Sequence, residues 1–179
     1  MDYKTVLHFW FQELTPDQWW VKDGVLDEVI RQRFLDLHHQ AISGELAHWR
    51  TAASGRLAEI IVLDQFSRNM FRDSDQAFAS DAQALALAQE AVLLAEDEKL
   101  TAIERSFLYM PYMHSESLLV QHQAVELFKH NGIESNYQFA IRHRDIIQRF
   151  GRYPHRNAVL KRDSTEQERA FLQQPGSSF

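Results

Sequence analysis

The sequence predicts an all-α protein of about seven to nine helices, and three observations lead to this fold class. Glycine and proline fall almost only where a helical pattern ends, so they divide the 179 residues into segments of helical length. Strand signals are nearly absent, and the one β-branched run, Ile60-Ile61-Val62, lies in a segment that fits a buried helix better. Apolar residues recur about every 3.6 positions. One such stripe comprises Val25, Val29, Ile30, Phe34 and Leu37.

Local signals place the individual helices in order along the chain. Thr15-Pro16-Asp17 combines an N-cap with proline at the first helical position. The segments 56–66 and 81–94 are rich in apolar residues, and Gly55 marks a boundary before the first of them. Thr101 and Glu104 form the pattern of a capping box.

The C-terminal half continues with two more helices. One spans 117–129 and stops at Gly132, and Ser135 is expected to cap the next one, which runs to Phe150. The short connections predict stacked antiparallel helical hairpins in a single compact domain of residues 1–172. No 34-residue repeat recurs, and residues 173–179 are expected to form a flexible tail.

The composition limits the classes of function. The formal net charge is −6, which makes general nucleic-acid binding unlikely. The chain contains no cysteine, which excludes disulfides and thiolate chemistry and fits a cytoplasmic location. No stretch reaches the roughly 20 apolar residues that a bilayer crossing needs, so we expect no membrane association.

A basic segment stands out in this acidic chain. Between Arg142 and Arg162 there are seven lysines and arginines and one acid, Asp145, whereas the rest of the chain has 12 basic and 24 acidic residues. Guanidinium groups this close together repel each other unless anions hold them. Pro154 should fix the directions of the side chains in the turn at 152–157, which suits bidentate binding of phosphate or carboxylate. The alternative is an internal arginine–carboxylate network that includes Asp64 and Glu116.

Two further segments could complete such a site. Asp64 shares a helix stripe with Leu57, Ile60 and Ile61, so its carboxylate is drawn toward the core, and Arg68 follows at i+4. The second segment surrounds Pro111, which is expected to break or kink the chain, so that His114 and Glu116 would lie at the N-terminus of the next helix, begun by Ser115 or Ser117. Structural ion pairing and a simple cap charge are the competing interpretations.

Histidines supply the candidates for acid–base chemistry, namely His114, His143 and His155. His143 falls on the apolar stripe of its helix, where a histidine is more often a satisfied core residue. The sequence lacks the standard nucleotide-binding, metalloprotease and serine-hydrolase motifs. No His/Asp/Glu pair has a spacing diagnostic of a metal, so we expect neither a metal nor a cofactor.

Four motifs, HFWF, LDQFSRNMFR, YMPYMHSE and HRDIIQRFGRYPHRN, resemble those of the bacterial family known as domain of unknown function 924. The resemblance covers nearly the whole chain and implies an all-helical fold of the tetratricopeptide-like superfamily. Ser67 and Tyr153 stand where the family usually has proline and phenylalanine. The resemblance brings no established activity, substrate or cofactor.

The leading hypothesis is therefore a pocket that binds a small anionic ligand or peptide, formed where the three segments meet, with hydrolysis or group transfer as the reaction class. The candidate ligand-binding residues are Asp64, Arg68, Asn69, Arg72, Tyr112, Glu116, Arg144, Asp145, Arg149, Arg152, Arg156 and Asn157. The alternative is a helical interaction scaffold without catalysis, in which the three segments would line an extended groove instead of one cavity. The sequence does not indicate an oligomeric state.

Overall fold

The computed structural model describes residues 1–178, and these residues form α-helices, short 3₁₀ turns and two π-helical turns, with no β-strand. The helices are α1 (Tyr3–His8), α2 (Gly24–Ile42), α3 (Ala53–Ile61), α4 (Ser67–Met70), α5 (Asp81–Leu93), α6 (Ala102–His114), α7 (Leu118–Asn131), α8 (Glu134–Phe150) and α9 (Glu166–Leu172). A π-helical turn at Val62–Phe66 joins α3 and α4 into one continuous rod. The predicted all-α class is confirmed.

Two helical hairpins form the C-terminal half. Helices α6 and α7 are separated by three residues and α7 and α8 by two, and the members of each pair pack against each other. Connections this short force consecutive packed helices to run antiparallel. The stacked hairpins expected from the sequence are consistent with this arrangement.

The local end signals account for most of the helix boundaries. The Thr101 hydroxyl accepts from the Glu104 N–H, and the Glu104 carboxylate accepts in turn from the Thr101 N–H, so the predicted capping box begins α6. Gly132 and Gly151 end α7 and α8 with positive φ angles of 80° and 70°. A side chain would strain the backbone at such angles, which explains why glycine stands there.

Several expectations about helix ends are wrong. Helix α8 begins at Glu134 with Ile133 as its N-cap, so Ser135 lies inside the first turn and does not cap it. Pro111 does not break the chain, because it lies within α6 three residues before the end. Consequently His114 is the last residue of α6 instead of the first of a new helix, and Ser117 is the N-cap of α7.

Two predictions about packing are also corrected. Gly55 is an interior residue of α3 and not a boundary residue. On α2 the buried stripe contains Leu26, Ile30, Phe34 and Leu37, whereas Val25 and Val29 are exposed. The prediction starts the stripe at Val25, whereas the first buried position is Leu26. Val25 lies in the first turn of the helix, beside the capping Asp23.

The main core lies between α1, α2, α3 and α6 and is rich in aromatic rings. The rings of Phe9, Phe34 and Phe66 contact one another with centroids 4.7–6.0 Å apart, the Phe9–Phe66 pair in a T-shaped arrangement and the other two pairs tilted. A smaller cluster, Ile146, Ile147 and Tyr153, packs between α8 and the segment that follows it. This second cluster anchors the basic segment after Gly151 against the rest of the molecule.

The last described residues contact the helix that precedes them. Ser177 is buried and donates a hydrogen bond to the Leu172 carbonyl, so part of the predicted tail contacts α9. Phe179 lies outside the described residues, and the flexibility of 173–179 stays a prediction. Within residues 1–178 no helix has the length and apolar composition that a membrane crossing requires. The cytoplasmic location likewise stays a prediction.

Candidate functional site

Asp64 is the centre of a buried ion network. Its carboxylate is fully buried because the π-helical turn between α3 and α4 points it into the protein. Asp64 Oδ1 lies 2.8 Å from Nδ1 of His114 and 3.0 Å from Nη1 of Arg68. The amide of Gln65 donates to Oδ2 at 2.6 Å. Burial raises the pKa of Asp64, but the positive charge of Arg68 and the contact with His114 outweigh it and hold the pKa well below its usual value.

Arg68 connects Asp64 to a second carboxylate, Asp81, at the start of α5. Nη1 and Nη2 of Arg68 donate to the two oxygens of Asp81 at 2.9 and 3.0 Å. Such a bidentate pair fixes the plane of the guanidinium. The i,i+4 pairing of Asp64 with Arg68 was predicted, whereas the partnership with Asp81 was not.

His114 is held in one tautomer by this network. An ionised carboxylate can only accept, so Nδ1 of His114 carries the proton that it donates to Asp64. Burial lowers the pKa of His114, and the charge of Arg68 lowers it further against the opposing effect of Asp64. The imidazole is therefore neutral near pH 7, and its Nε2 makes no hydrogen bond within residues 1–178.

Arg156 is the buried cation on the other side of His114. Its residue surface is only 5 % exposed, and its guanidinium lies 4.6 Å from the ring centroids of both Phe78 and Tyr153. Nη2 donates to the His114 carbonyl at 3.0 Å, and Nη1 makes a long contact of 3.4 Å with Asp81. Its Nε has no hydrogen-bond partner. Burial and Arg68 lower the pKa of Arg156, which nevertheless remains charged at neutral pH.

These groups border a cavity of about 410 Å³ between α5, the end of α6 and the segment 154–160. His114, Glu116 and Arg156 line it together with Asp81, and Phe78 and Leu85 contribute to its apolar wall. The volume falls in the range of small-molecule sites. Two of the three sequence segments therefore supply lining residues, and the segment 64–72 reaches the cavity only through the contact of Arg68 with Asp81.

Glu116 and Asn157 stabilise the turn that carries Arg156. The Glu116 carboxylate accepts from the Tyr153 N–H at 2.8 Å and from both Nη atoms of Arg162 at 2.7 and 2.9 Å. Asn157 is buried and accepts from Nε of Arg162 at 3.0 Å. Glu116 thus holds the turn through Arg162, a basic residue that was counted in the basic segment but was not a predicted site residue.

Other predicted site residues lie elsewhere in ion pairs of their own. Asn69 and Arg72 both bind Asp27 on α2, with Nε of Arg72 at 2.6 Å from Oδ2. Arg152 makes a bidentate pair with Glu168 of α9 at 2.7 and 2.9 Å.

The remaining predicted residues also lie away from the cavity. Arg144 pairs with its neighbour Asp145 at the surface, and Arg149 lies over the ring of Phe150. Tyr112 is buried in the main core, where burial raises the pKa of its hydroxyl to about 12. None of these residues lines the 410 Å³ cavity.

The two other candidate histidines, His143 and His155, are not among the residues that line the cavity. His143 is 4 % exposed on the core face of α8, as predicted, and its Nδ1 is 2.8 Å from the Phe139 carbonyl. His155 lies beside Tyr153, with ring centroids 5.6 Å apart. Burial lowers the pKa of His143 to about 3 and that of His155 to about 4, so both are neutral at pH 7.

Asp81, Phe78 and Leu85 are site residues that the sequence reasoning missed. Asp81 looks like an ordinary acid in the first turn of a helix, where it favours the helix dipole. Its pairing with Arg68 depends on how α5 packs against the α3–α4 rod, which no local pattern signals. In residues 1–178, His, Asp and Glu side chains form no group of three or more that could hold a metal ion.

Fold and site together define an all-α hairpin protein in which a buried carboxylate–arginine–histidine network opens on a small cavity. The chain belongs to the family described as bacterial protein of unknown function (DUF924), whose model matches residues 6–176. It is similar to the solved structure of protein of unknown function ATU0120 from Agrobacterium tumefaciens, with 36 % sequence identity and a TM-score of 0.91. That similarity covers 96 % of each chain. No curated protein matches the chain.

Proposed function

We propose that the cavity between α5, the end of α6 and the segment 154–160 binds a small carboxylate with an apolar body, and that His114 is its acid–base group. One observation carries the proposal: a buried arginine and a carboxylate-oriented imidazole line the same cavity. The walls at Phe78 and Leu85 would contact the apolar part of the ligand. The segments around His114 and Arg156 meet at this cavity, which favours a pocket over an extended scaffold groove.

Arg156 is the best anchor for the anionic group. Arg68, Arg72 and Arg152 each use two guanidinium nitrogens on a carboxylate of the protein. The hydrogen bonds of Arg156 within residues 1–178 are the long contact to Asp81 and the bond to a main-chain carbonyl. It therefore retains donor capacity for a ligand, and its stacking between two rings holds the guanidinium in place.

The charge around the cavity favours a carboxylate over a phosphate. Asp81 and Glu116 both line the cavity near Arg156, the one arginine among the lining residues in the described part of the chain. A second negative charge on the ligand would face these carboxylates without another cation to offset it. A monoanion meets less repulsion.

His114 can transfer a proton at the ligand. Nε2 of the neutral imidazole, which makes no hydrogen bond within residues 1–178, can accept a proton, and Asp64 stabilises the resulting imidazolium, which can donate that proton to a leaving group of the ligand. Hydrolysis or group transfer with an oxygen nucleophile follows from this arrangement. Water or a ligand hydroxyl is the proposed nucleophile, although Ser115 also lines the cavity.

A thermal-shift series tests the binding step. Benzoate and hexanoate are compared with phenyl phosphate and with neutral benzyl alcohol at constant ionic strength. Saturating carboxylates should raise the Tm by about 3 °C or more, because a ligand that binds only the folded state stabilises it. Stronger stabilisation by phenyl phosphate would show that the choice of carboxylate is wrong.

Ala82→Trp provides the decisive variant. Ala82 lines the cavity from the exposed side of α5, so a tryptophan there fills the space and leaves the ion network in place. The matched control is Ala102→Trp, at an exposed position at the other end of α6. The carboxylate shift should vanish in the first variant and persist in the second. Equal shifts in wild type and Ala82→Trp contradict the proposal.

A further inference from the structure

The network beside the cavity is balanced in charge before any ligand binds. Asp64 and Asp81 supply two negative charges, and Arg68 and Arg156 supply two positive ones. With His114 neutral, these charges cancel. A carboxylate that binds to Arg156 adds one negative charge to this buried group, and an uncompensated buried charge is costly.

His114 is placed to compensate for that charge. Its Nδ1 is held by Asp64 at 2.8 Å, and the side chain lines the cavity with Nε2 free of hydrogen bonds in the described part of the chain. It is also the last residue of α6, where the negative end of the helix dipole favours a cation. A ligand carboxylate in the cavity would act on the imidazole in the same direction as Asp64 does.

The groups around His114 do not compete for the proton. Within residues 1–178, those that face it or share its cavity are Asp64 and Arg68 from the α3–α4 rod, Asp81 from α5, His143 from α8, and Asp75, Glu116, His155 and Arg156 from the connecting segments. Burial lowers the pKa values of the two other histidines to about 3 and about 4. The two carboxyls whose pKa values are lowered, Asp64 and Glu116, remain ionised through their contacts with arginines.

We propose that a carboxylate enters the cavity together with one proton, which Nε2 of His114 takes from the solvent. The ligand stays ionised, the imidazole becomes an imidazolium, and the network returns to its balanced charge. In the loaded site His114 is then a proton donor, which assigns it the role of general acid toward a leaving group. This inference rests on the proposed binding of a carboxylate in the cavity.

Calorimetry counts the proton directly. Benzoate is titrated into the wild-type protein at pH 7 in buffers that differ in ionisation enthalpy. The apparent binding enthalpy should depend on the buffer with a slope of about one proton taken up per benzoate. Binding with a slope of zero overturns the proton uptake and leaves the proposed function standing. No binding of benzoate in any buffer overturns both.

A variant and a spectroscopic measurement locate the proton. His114→Gln should bind benzoate with a slope near zero, whereas the exposed control His122→Gln should keep the wild-type slope. A His114→Gln protein that keeps the slope overturns the assignment. If this variant does not fold, the ring ¹⁵N resonances of His114 in the wild type give the answer. They should move to imidazolium values on addition of benzoate, and unchanged resonances at saturation overturn the proposal.

Discussion

Asp64 shows at the scale of one residue how a costly buried charge is stabilised. It is fully buried, and it is held by a guanidinium, an imidazole and an amide, which together replace the water that burial removes. Because the sequence places it on an apolar helix stripe four residues before Arg68, both its burial and this partner were predictable. His114 is 50 residues away, so that contact depends on tertiary packing.

Asp64→Asn should be strongly destabilising. The neutral amide leaves Arg68 and His114 with less compensation in a buried position, and removal of one partner from such a network costs about 3 kcal/mol or more. Urea denaturation measures the change in the free energy of unfolding. The control is Asp145→Asn, whose side chain is 57 % exposed beside Arg144 and should change stability by less than about 0.5 kcal/mol. Equal effects of the two substitutions would contradict the buried network.

His38 should make the stability depend on pH. Burial lowers its pKa from 6.5 to about 4, and its Nε2 contacts the Ser67 hydroxyl at 2.8 Å. Between these values the unfolded chain binds a proton that the folded protein does not, so this contribution to stability is lost as the pH falls from 6.5 to about 4.

The measurement for His38 is the free energy of unfolding of wild type and His38→Gln at pH 7, 5.5 and 4. The loss on acidification should be smaller in the variant by about 2–3 kcal/mol. The exposed control His122→Gln should follow the wild type. Parallel curves for wild type and His38→Gln would show that His38 does not titrate as its burial requires.

At the scale of the element, helix α3 begins against the carbonyl of Trp49. A Cβ built on Gly55 would lie 2.1 Å from that oxygen, so the backbone of α3 approaches the preceding turn at a distance that only glycine permits. The sequence predicts a helix boundary at Gly55, because a glycine just before a helix and a glycine inside its first turn give the same local signal. The difference lies in a contact with Trp49 that periodicity and capping signals do not contain.

Gly55→Ala should therefore destabilise the protein by about 2–3 kcal/mol or more, since the clash is with main-chain atoms that cannot rotate away. Gly24→Ala is the matched control, because nothing lies within 4 Å of a Cβ there. Alanine at Gly24 should be neutral or slightly stabilising. Thermal denaturation of both variants checks the prediction, and a tolerated Gly55→Ala would contradict the close approach.

Helix α6 illustrates what local signals can and cannot predict. Its start was predicted correctly because the Thr101–Glu104 capping box is a local arrangement. Its end was not, because Pro111 is accommodated inside the helix and the chain continues to His114. His114 therefore lies at the C-terminal end of a helix and not at an N-terminal end. The helix dipole at that end favours a cation, whereas the dipole at an N-terminal end favours an anion.

At the scale of the whole molecule, packing of the helices decides which arginines are available to a ligand. The sequence identified a basic segment in an acidic chain, and two of its members, Arg152 and Arg162, proved to be paired closely with acids from outside the segment. The choice of those partners depends on the relative positions of α5, α9 and the α6–α7 connection. The sequence could therefore predict the segments around His114 and Arg156 as neighbours, but not that Asp81 would join them or that Arg156 would keep spare donors beside the cavity.

The most direct measurement of the central claim is the crystal structure of the wild-type protein with 4-bromobenzoate, in which anomalous scattering locates the bromine. The carboxylate should lie within hydrogen-bond distance of Arg156, with the bromophenyl ring against Phe78 and Leu85 in the cavity. Bromobenzoate bound only at exposed arginines such as Arg142, with the cavity empty at a saturating concentration, would contradict the account.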